Sequence, residues 1–425
     1  MEYKKELESY FDRLWPICRS ITGDGLRQSL KILSEIIPLE LTEVPSGTKV
    51  FDWEIPDEWN ISDAYILTPE GKKICDFKLN NLHVLNYSIP VDEEISFEEL
   101  DKHLFSIPEM PDAIPYLTSY YKKMWGFCIT HEERQQLPKT GRYKVKINST
   151  LKKGSLTYGE CLLKGETDEE ILFSTYMCHP SMANNELSGP LVAAFLYKKL
   201  AALSKRRFSY RFVFAPETIG VIAFLSKEGM RLKENLHAGY VLTCVGDKGN
   251  FTYKRSKNPE NNVDTVAEHY LRGTGKPFTT LDFSIGGSDE RQYCSPGFNL
   301  PVGSLMRTMY QRFKEYHTSL DNKSFISFEA LEESVNAYFD IARVHELNRK
   351  YINAVPYCEP QLGKRGLYPA VGGQKSRTDE LSMRLHLLSW ADGKNDLITI
   401  AERFGRPALD FEETIRVLIE NKLLS

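Results

Sequence analysis

The stretch Cys178-His179-Pro180-Ser181-Met182-Ala183-Asn184-Asn185-Glu186-Leu187-Ser188-Gly189 gathers side chains suited to holding a metal ion. It lies between a hydrophobic run, Ile171 to Tyr176, and a helix-like run, Leu191 to Tyr197. A histidine leaving a strand is a common first-row metal ligand, and a carboxylate a few residues on can reach the same ion. Further groups able to hold or serve a metal follow along the chain: Glu217 in Pro216-Glu217-Thr218-Ile219-Gly220, Asp247 after Gly246, and His317 in Tyr316-His317-Thr318. Each alone has a bland explanation: a hydrogen-bonded structural histidine, an acid at a helix N-terminus, a turn aspartate, a loop histidine. Their succession at strand ends is what points to one site, because open α/β sheets bind ligands at the carboxyl ends of their strands.

The elements that must position these residues follow from residues 120 onward, where strand and helix patterns alternate. Strands are expected at Tyr143–Ile147, Thr157–Leu163, Ile171–Tyr176, Tyr210–Ala215, Ala238–Val245 and Val302–Met306, and helices at 189–204, 221–231, 259–271 and 328–348. That alternation predicts an α/β domain with a mixed, mainly parallel sheet flanked by helices. Residues 1–36 read as two helices, with Leu7, Tyr10, Phe11 and Leu14 on one face and Leu26, Leu30, Leu33 and Ile36 on another, broken by Gly23-Asp24-Gly25. Residues 39–105 alternate short β-type runs with turns and read as a β-rich insertion. After the loop Gly372-Gly373, three short helices with Gly405-Arg406-Pro407 before the third resemble a winged-helix module over 370–425. The expected α/β domain is thus 1–38 with 106–365.

Length and charge narrow the classes. A chain of 425 residues implies two to three domains, and its composition is that of a globular protein. A net charge of −4 and a sequence pI of about 6.2 argue against a general nucleic-acid binder. The last helix, Phe411 to Glu420, carries three acids and one arginine, which favours packing or protein contact over reading a groove. Eight scattered cysteines without a CxxC pair read as free thiols, the N-terminus has no apolar signal core, and no run approaches a membrane span, so the cytoplasm is the expected location. Arg272-Gly273-Thr274-Gly275-Lys276 lacks P-loop spacing and reads as a turn, Ser188 lacks a nucleophile elbow, and Trp53, Trp59 and Trp125 read as core or rim aromatics.

The layout resembles the zinc aminopeptidase superfamily, which includes bacterial leucyl aminopeptidases and glutaminyl cyclases. The resemblance rests on His179, Ala183-Asn184-Asn185-Glu186-Leu187-Ser188-Gly189, Glu217-Thr218-Ile219-Gly220, Asp247 and Tyr316-His317-Thr318. More narrowly, Pro16-Ile17-Cys18-Arg19-Ser20-Ile21-Thr22-Gly23-Asp24-Gly25, Cys178-His179-Pro180-Ser181 and Gly286-Gly287-Ser288-Asp289-Glu290-Arg291-Gln292-Tyr293 are similar to bacterial aminopeptidase-like domain proteins linked to polysaccharide gene clusters. The resemblance implies a metal-dependent hydrolase of a small amide or peptide, with Zn²⁺ as one or two ions. His179, Glu186, Asp247 and His317 would be its ligands and Glu217 its general base. The superfamily's bridging aspartate falls at Asn185 and its second glutamate at Thr218, with Glu186 beside the gap. Asp289 or Glu290 would meet a substrate amine, Arg307 a carboxylate, and Asn185 and Asp321 would support the ligands from behind. A homo-oligomer fits this picture. Two other readings stay open: a degenerate site that binds an amino-acylated or sugar ligand without cleaving it, and a regulator acting through the C-terminal module.

Overall fold

The computed structural model describes residues 3–368 and 379–425. The predicted loop at Gly372-Gly373 lies outside the described residues. The chain divides into two compact units, one of residues 1–263 with 278–336, the other of 264–277 with 337–425.

The first unit is built on an eight-stranded sheet. Its strands in chain order are β1 (Glu40–Pro45), β2 (Ser155–Leu163), β3 (Glu170–Tyr176), β4 (Ser209–Ala215), β5 (Leu236–Leu242), β6 (Phe251–Lys254), β7 (Phe278–Leu281) and β8 (Val302–Met306). In space they run β1-β2-β4-β3-β5-β8-β6-β7. The four central strands β4, β3, β5 and β8 are parallel, so their carboxyl ends share one edge. All seven residues of β3 and of β4 are buried. Near-continuous apolar runs of this kind are what a sheet covered on both faces requires. The alternation read from 120 onward thus forms the mixed, mainly parallel sheet expected from it.

Helix α1 (Ser188–Ala201) follows β3 and buries Leu191 to Leu196 on the sheet. Its second residue, Gly189, has no room for a side chain: a Cβ there would stand 2.3 Å from the Leu242 carbonyl oxygen and 2.4 Å from Thr175 Oγ1. Gly189→Ala is therefore expected to cost about 1–3 kcal/mol by overpacking, read as a lowered urea midpoint with an unchanged m value. Helix α2 (Ile219–Asn235) follows β4 and packs its buried Val221, Phe224 and Leu225 into the core that also holds Tyr158, Val213 and Val241. The N-terminal helices Lys4–Leu14 and Asp24–Leu33 bury Leu7, Phe11, Leu14, Leu26, Leu30 and Leu33, as their periodicity predicts.

The β-rich region differs from the expected 39–105 segment. Its four-stranded sheet has Glu58–Leu67 at the centre, paired with Lys73–Ile74 and with Arg142–Lys152, which in turn pairs with Val91–Ser96. The run around Tyr143–Ile147, expected in the α/β sheet, completes this smaller sheet instead, while β1, expected in the insertion, pairs antiparallel with β2 of the large sheet. Strand pairing over such separations is decided by which apolar faces meet, and local pattern carries no information on it.

The second unit contains three helices at the C-terminus: Asp379–Trp390, Leu397–Phe404 and Glu412–Glu420. Asp396 caps the middle one by accepting from the Thr399 amide, and Gly405 ends it in the left-handed conformation. On the last helix Arg416 is paired to both Glu413 and Glu420. No helix among the described residues is long and apolar enough to cross a membrane.

Candidate functional site

Two strand ends and one long connection bring side chains to one cavity of about 380 Å³, lined by His179, Glu217, Thr218, Arg291 and His317 together with Ile21, Trp53, Tyr116, Tyr120 and Tyr121. His179 follows β3, Glu217 follows β4, and His317 lies in the long connection after β8. The backbone is strained at this edge. Ser181, Thr218, Cys244 and His317 all have positive φ, between 47° and 64°. For the β-branched Thr218 this is a costly conformation, and such residues cluster where a structure over-determines its functional groups. Here the Thr218 amide donates to Asp289 Oδ1 at 2.7 Å, and its hydroxyl accepts from Arg291 at 2.9 Å, so the turn that carries Glu217 is clamped from both ends.

His179 has two distinct sides. Its Nδ1 lies 2.9 Å from Glu186 Oε2 and 3.4 Å from Cys178 Sγ, while its Nε2 lies 3.7 Å from Glu217 Oε2. The His317 ring sits 5.3 Å away, and Tyr116 touches both imidazoles at 4.9 and 5.2 Å between ring centres. Burial pushes His179 down to about 3, with help from the Arg19 charge, and pushes His317 down to about 3 as well, so both imidazoles are neutral at physiological pH. Burial lifts the Glu217 carboxyl to about 7, opposed by the Arg291 charge. It also raises Glu186, an effect opposed by the Arg19 charge and by hydrogen bonds that favour the ionised carboxylate.

Several predicted site residues stand elsewhere. Asp247 is expected among the ligands, but four hydrogen bonds occupy it: Oδ1 accepts from the Gly249 amide and Thr308 hydroxyl, Oδ2 from the Thr308 amide and Asn184 Nδ2. Glu186 is expected beside Asp247 and His317; it lies on the Nδ1 side of His179, against the guanidinium of Arg19. Among the described residues, Cys178, His179 and Glu186 form the one group of three possible ligands within 4.8 Å of one another. A fixed cation at the edge of that group makes it a poor place for a second cation. Asp321 is expected behind an imidazole; its oxygens instead accept from the Asn184 and Asn185 amides at 2.7 and 2.8 Å and hold the turn after His179. Asn185 itself donates to Tyr176. Arg307 is expected to meet substrate, yet its donors go to Ser334, Glu333 and the Gly249 and Ala330 carbonyls. Glu290 is wholly buried in an ion pair with Lys254, and Asp289 is buried under Thr218. Neither lines the cavity.

The residues that sequence reasoning passed over are Arg19, Tyr116 and Arg291. Arg291 and Arg19 both lie inside motifs that carried the resemblance, and a charged Arg19 within Ile17-Cys18-Arg19-Ser20-Ile21 is itself a signal, since an arginine among apolar neighbours must find a buried partner.

Residues 349–425 match a winged helix-turn-helix model, so the C-terminal helices form the expected module, beginning some twenty residues earlier than the sequence pattern placed it. A Clostridium acetobutylicum protein named for polysaccharide biosynthesis and an aminopeptidase-like domain is 49% identical over 94% of this chain and 91% of its own. A crystal structure named as a candidate peptidase from Clostridium acetobutylicum superposes with a TM-score of 0.93 at 46% identity, covering 100% of this chain and 96% of the other. A zinc aminopeptidase from Bacillus subtilis, at 13% identity, matches with a TM-score of 0.58 over 81% of this chain and 95% of its own, which shows a shared fold. Residues 9–348 match the model of a domain of unknown function, DUF4910, and the chain belongs to that family of aminopeptidase-like proteins.

Proposed function

We propose that this chain hydrolyses a small amide or peptide bond, with Glu217 as general base beside His179 and His317. The observation that carries the reading is Glu217 Oε2 at 3.7 Å from His179 Nε2 in one aromatic-lined cavity, with the carboxyl lifted to about 7. A base whose pKa lies near the working pH combines the correct protonation state with useful driving force. We infer a single zinc ion at this site. Two neutral imidazoles face the cavity, whereas Asn185 and Thr218 are neutral where the resembling enzymes carry acids, and Asp247 is saturated. His179 and His317 would hold the ion, which supplies a bound water of lowered pKa and a Lewis acid for the carbonyl.

Glu217 takes a proton from water on its cavity side and returns it to the leaving amine. Arg291, the arginine that lines the cavity, takes the place expected of Arg307 and meets a substrate carboxylate. Trp53, Tyr116, Tyr120 and Tyr121 bury an apolar side group. In a panel of aminoacyl anilides and N-acyl sugars with one equivalent of zinc, kcat/KM is expected to rise with pH and then level off as Glu217 loses its proton. Saturable binding of the same compounds without turnover would move the assignment to a non-catalytic ligand-binding protein.

A further inference from the structure

The segment Pro16–Gly25 carries part of the resemblance. It runs between two cavities. Cys18, Ser20 and Thr22 line a cavity of about 660 Å³, whereas Ile21 lines the cavity of His179 and Glu217. Alternation of this kind belongs to extended chain. Arg19 is wholly buried within the segment. Gly25 holds the segment down, since a Cβ there would stand 1.8 Å from the Cys18 carbonyl oxygen.

Arg19 is an unusual burial. Its Nη1 donates to the Leu14 carbonyl at 2.7 Å and its Nε lies 3.5 Å from Glu186 Oε1. Nε and Nη2 have no hydrogen-bond partner of normal geometry, and neither has Glu186 Oε1. Both side chains are 0% exposed. An ion pair this deep and this sparsely bonded is a weak source of stability, because desolvation of both charges offsets their attraction. What the pair does have is a third member. The other Glu186 oxygen lies 2.9 Å from His179 Nδ1. Guanidinium, carboxylate and imidazole are therefore in successive contact, and the nitrogen left over, Nε2, lies 3.7 Å from Glu217.

We propose that Arg19 is a positioning residue that orients Glu186, which in turn holds His179 as the Nδ1–H tautomer with the Nε2 lone pair open to the cavity. Carboxylates that accept from the remote nitrogen of a ligand histidine fix its ring and tautomer, and their loss typically costs 10–100-fold in metal affinity. The same fixed cation leaves the Nδ1 flank unsuited to a second ion. This inference rests on the placement of His179 in the candidate site but not on hydrolysis taking place there.

The test is imidazole ¹⁵N NMR of the full chain, with His179→Gln to identify the signals, alongside zinc titration by calorimetry. Wild type is expected to show His179 protonated at Nδ1 alone. Arg19→Met and Glu186→Gln are expected to mix the tautomers and to weaken zinc about 10–100-fold. The double variant Arg19→Met/Glu186→Gln has no unpaired buried charge, so it is expected to keep near-wild-type stability while retaining both defects. A purely stabilising role predicts the opposite, namely a double variant with wild-type tautomer and zinc affinity, and that result overturns the proposal. An Nε2–H tautomer in wild type overturns it without any variant. Failure to cleave any amide, with the tautomer and variant effects as expected, counts against the hydrolase reading alone.

Discussion

Glu217→Gln is expected to lower kcat/KM by about 10²–10⁴-fold while making the protein more stable at pH 8. The two effects have one cause. Burial lifts the Glu217 carboxyl from its ordinary 4.5 to about 7. Between those values the folded chain keeps a proton that the unfolded chain releases, so stability falls as pH rises through this window. Above pH 7 the folded protein carries the full cost of a buried charge. That cost is about 2 kcal/mol, a discounted figure because a quarter of the side chain remains open to solvent. Glutamine has the same shape and no charge to desolvate. Urea unfolding at pH 4.5 and pH 8 is therefore expected to show equal stabilities at the lower pH and a more stable variant at the higher one. Unchanged turnover in Glu217→Gln would remove Glu217 from the mechanism whatever the stability data show.

The second large effect is expected at a buried lysine that does not line the cavity. Lys254 is buried, and its Nζ donates to Glu290 Oε1 at 2.7 Å, to the Ser284 and Gly286 carbonyls and to the Tyr310 hydroxyl. It therefore ties down the turn that carries Asp289 and Arg291, the two residues that clamp Thr218. Lys254→Met leaves the wholly buried Glu290 without its cation, a change of the kind that costs about 3–5 kcal/mol. Replacing both partners, as Lys254→Met/Glu290→Leu, removes the stranded charge and is expected to recover most of that loss in chemical denaturation. Turnover is expected to remain reduced in the double variant, because the turn has lost its hydrogen bonds and Thr218 its fixed clamp. Full recovery of kcat would show that the Gly286–Arg291 turn does not position Glu217.

Both predictions depend on contacts that sequence reading reached only in part. The strand-end order His179, Glu217, Asp247, His317 was legible because β3 and β4 are uninterrupted apolar runs followed by turn chemistry, and parallel strands put their carboxyl ends on one edge. Which side chains turn inward was not legible. Asp247 follows β5 as expected, yet local donors from Gly249 and Thr308 compete for its oxygens and win. Asp321 lies four residues after His317, but its partners are amides 136 and 137 residues away. Arg307 carries the charge a substrate carboxylate would need, but that charge is spent on Glu333 and two carbonyls.

By itself, then, the sequence determined what short-range physics controls: the runs that become strands and helices, the turns between them, the order of polar groups along the sheet edge, and the C-terminal helical module. Periodicity and turn preference act over a few residues and leave their mark in the local pattern. Only the tertiary structure decided that β1 joins the large sheet, that Arg142–Lys152 completes the small one, and that Arg19 meets Glu186 across 167 positions. It also decided which nitrogen of His179 faces the cavity. These outcomes depend on which buried faces and charges can be mutually satisfied once the chain is compact, and desolvation makes each such pairing a property of the whole fold.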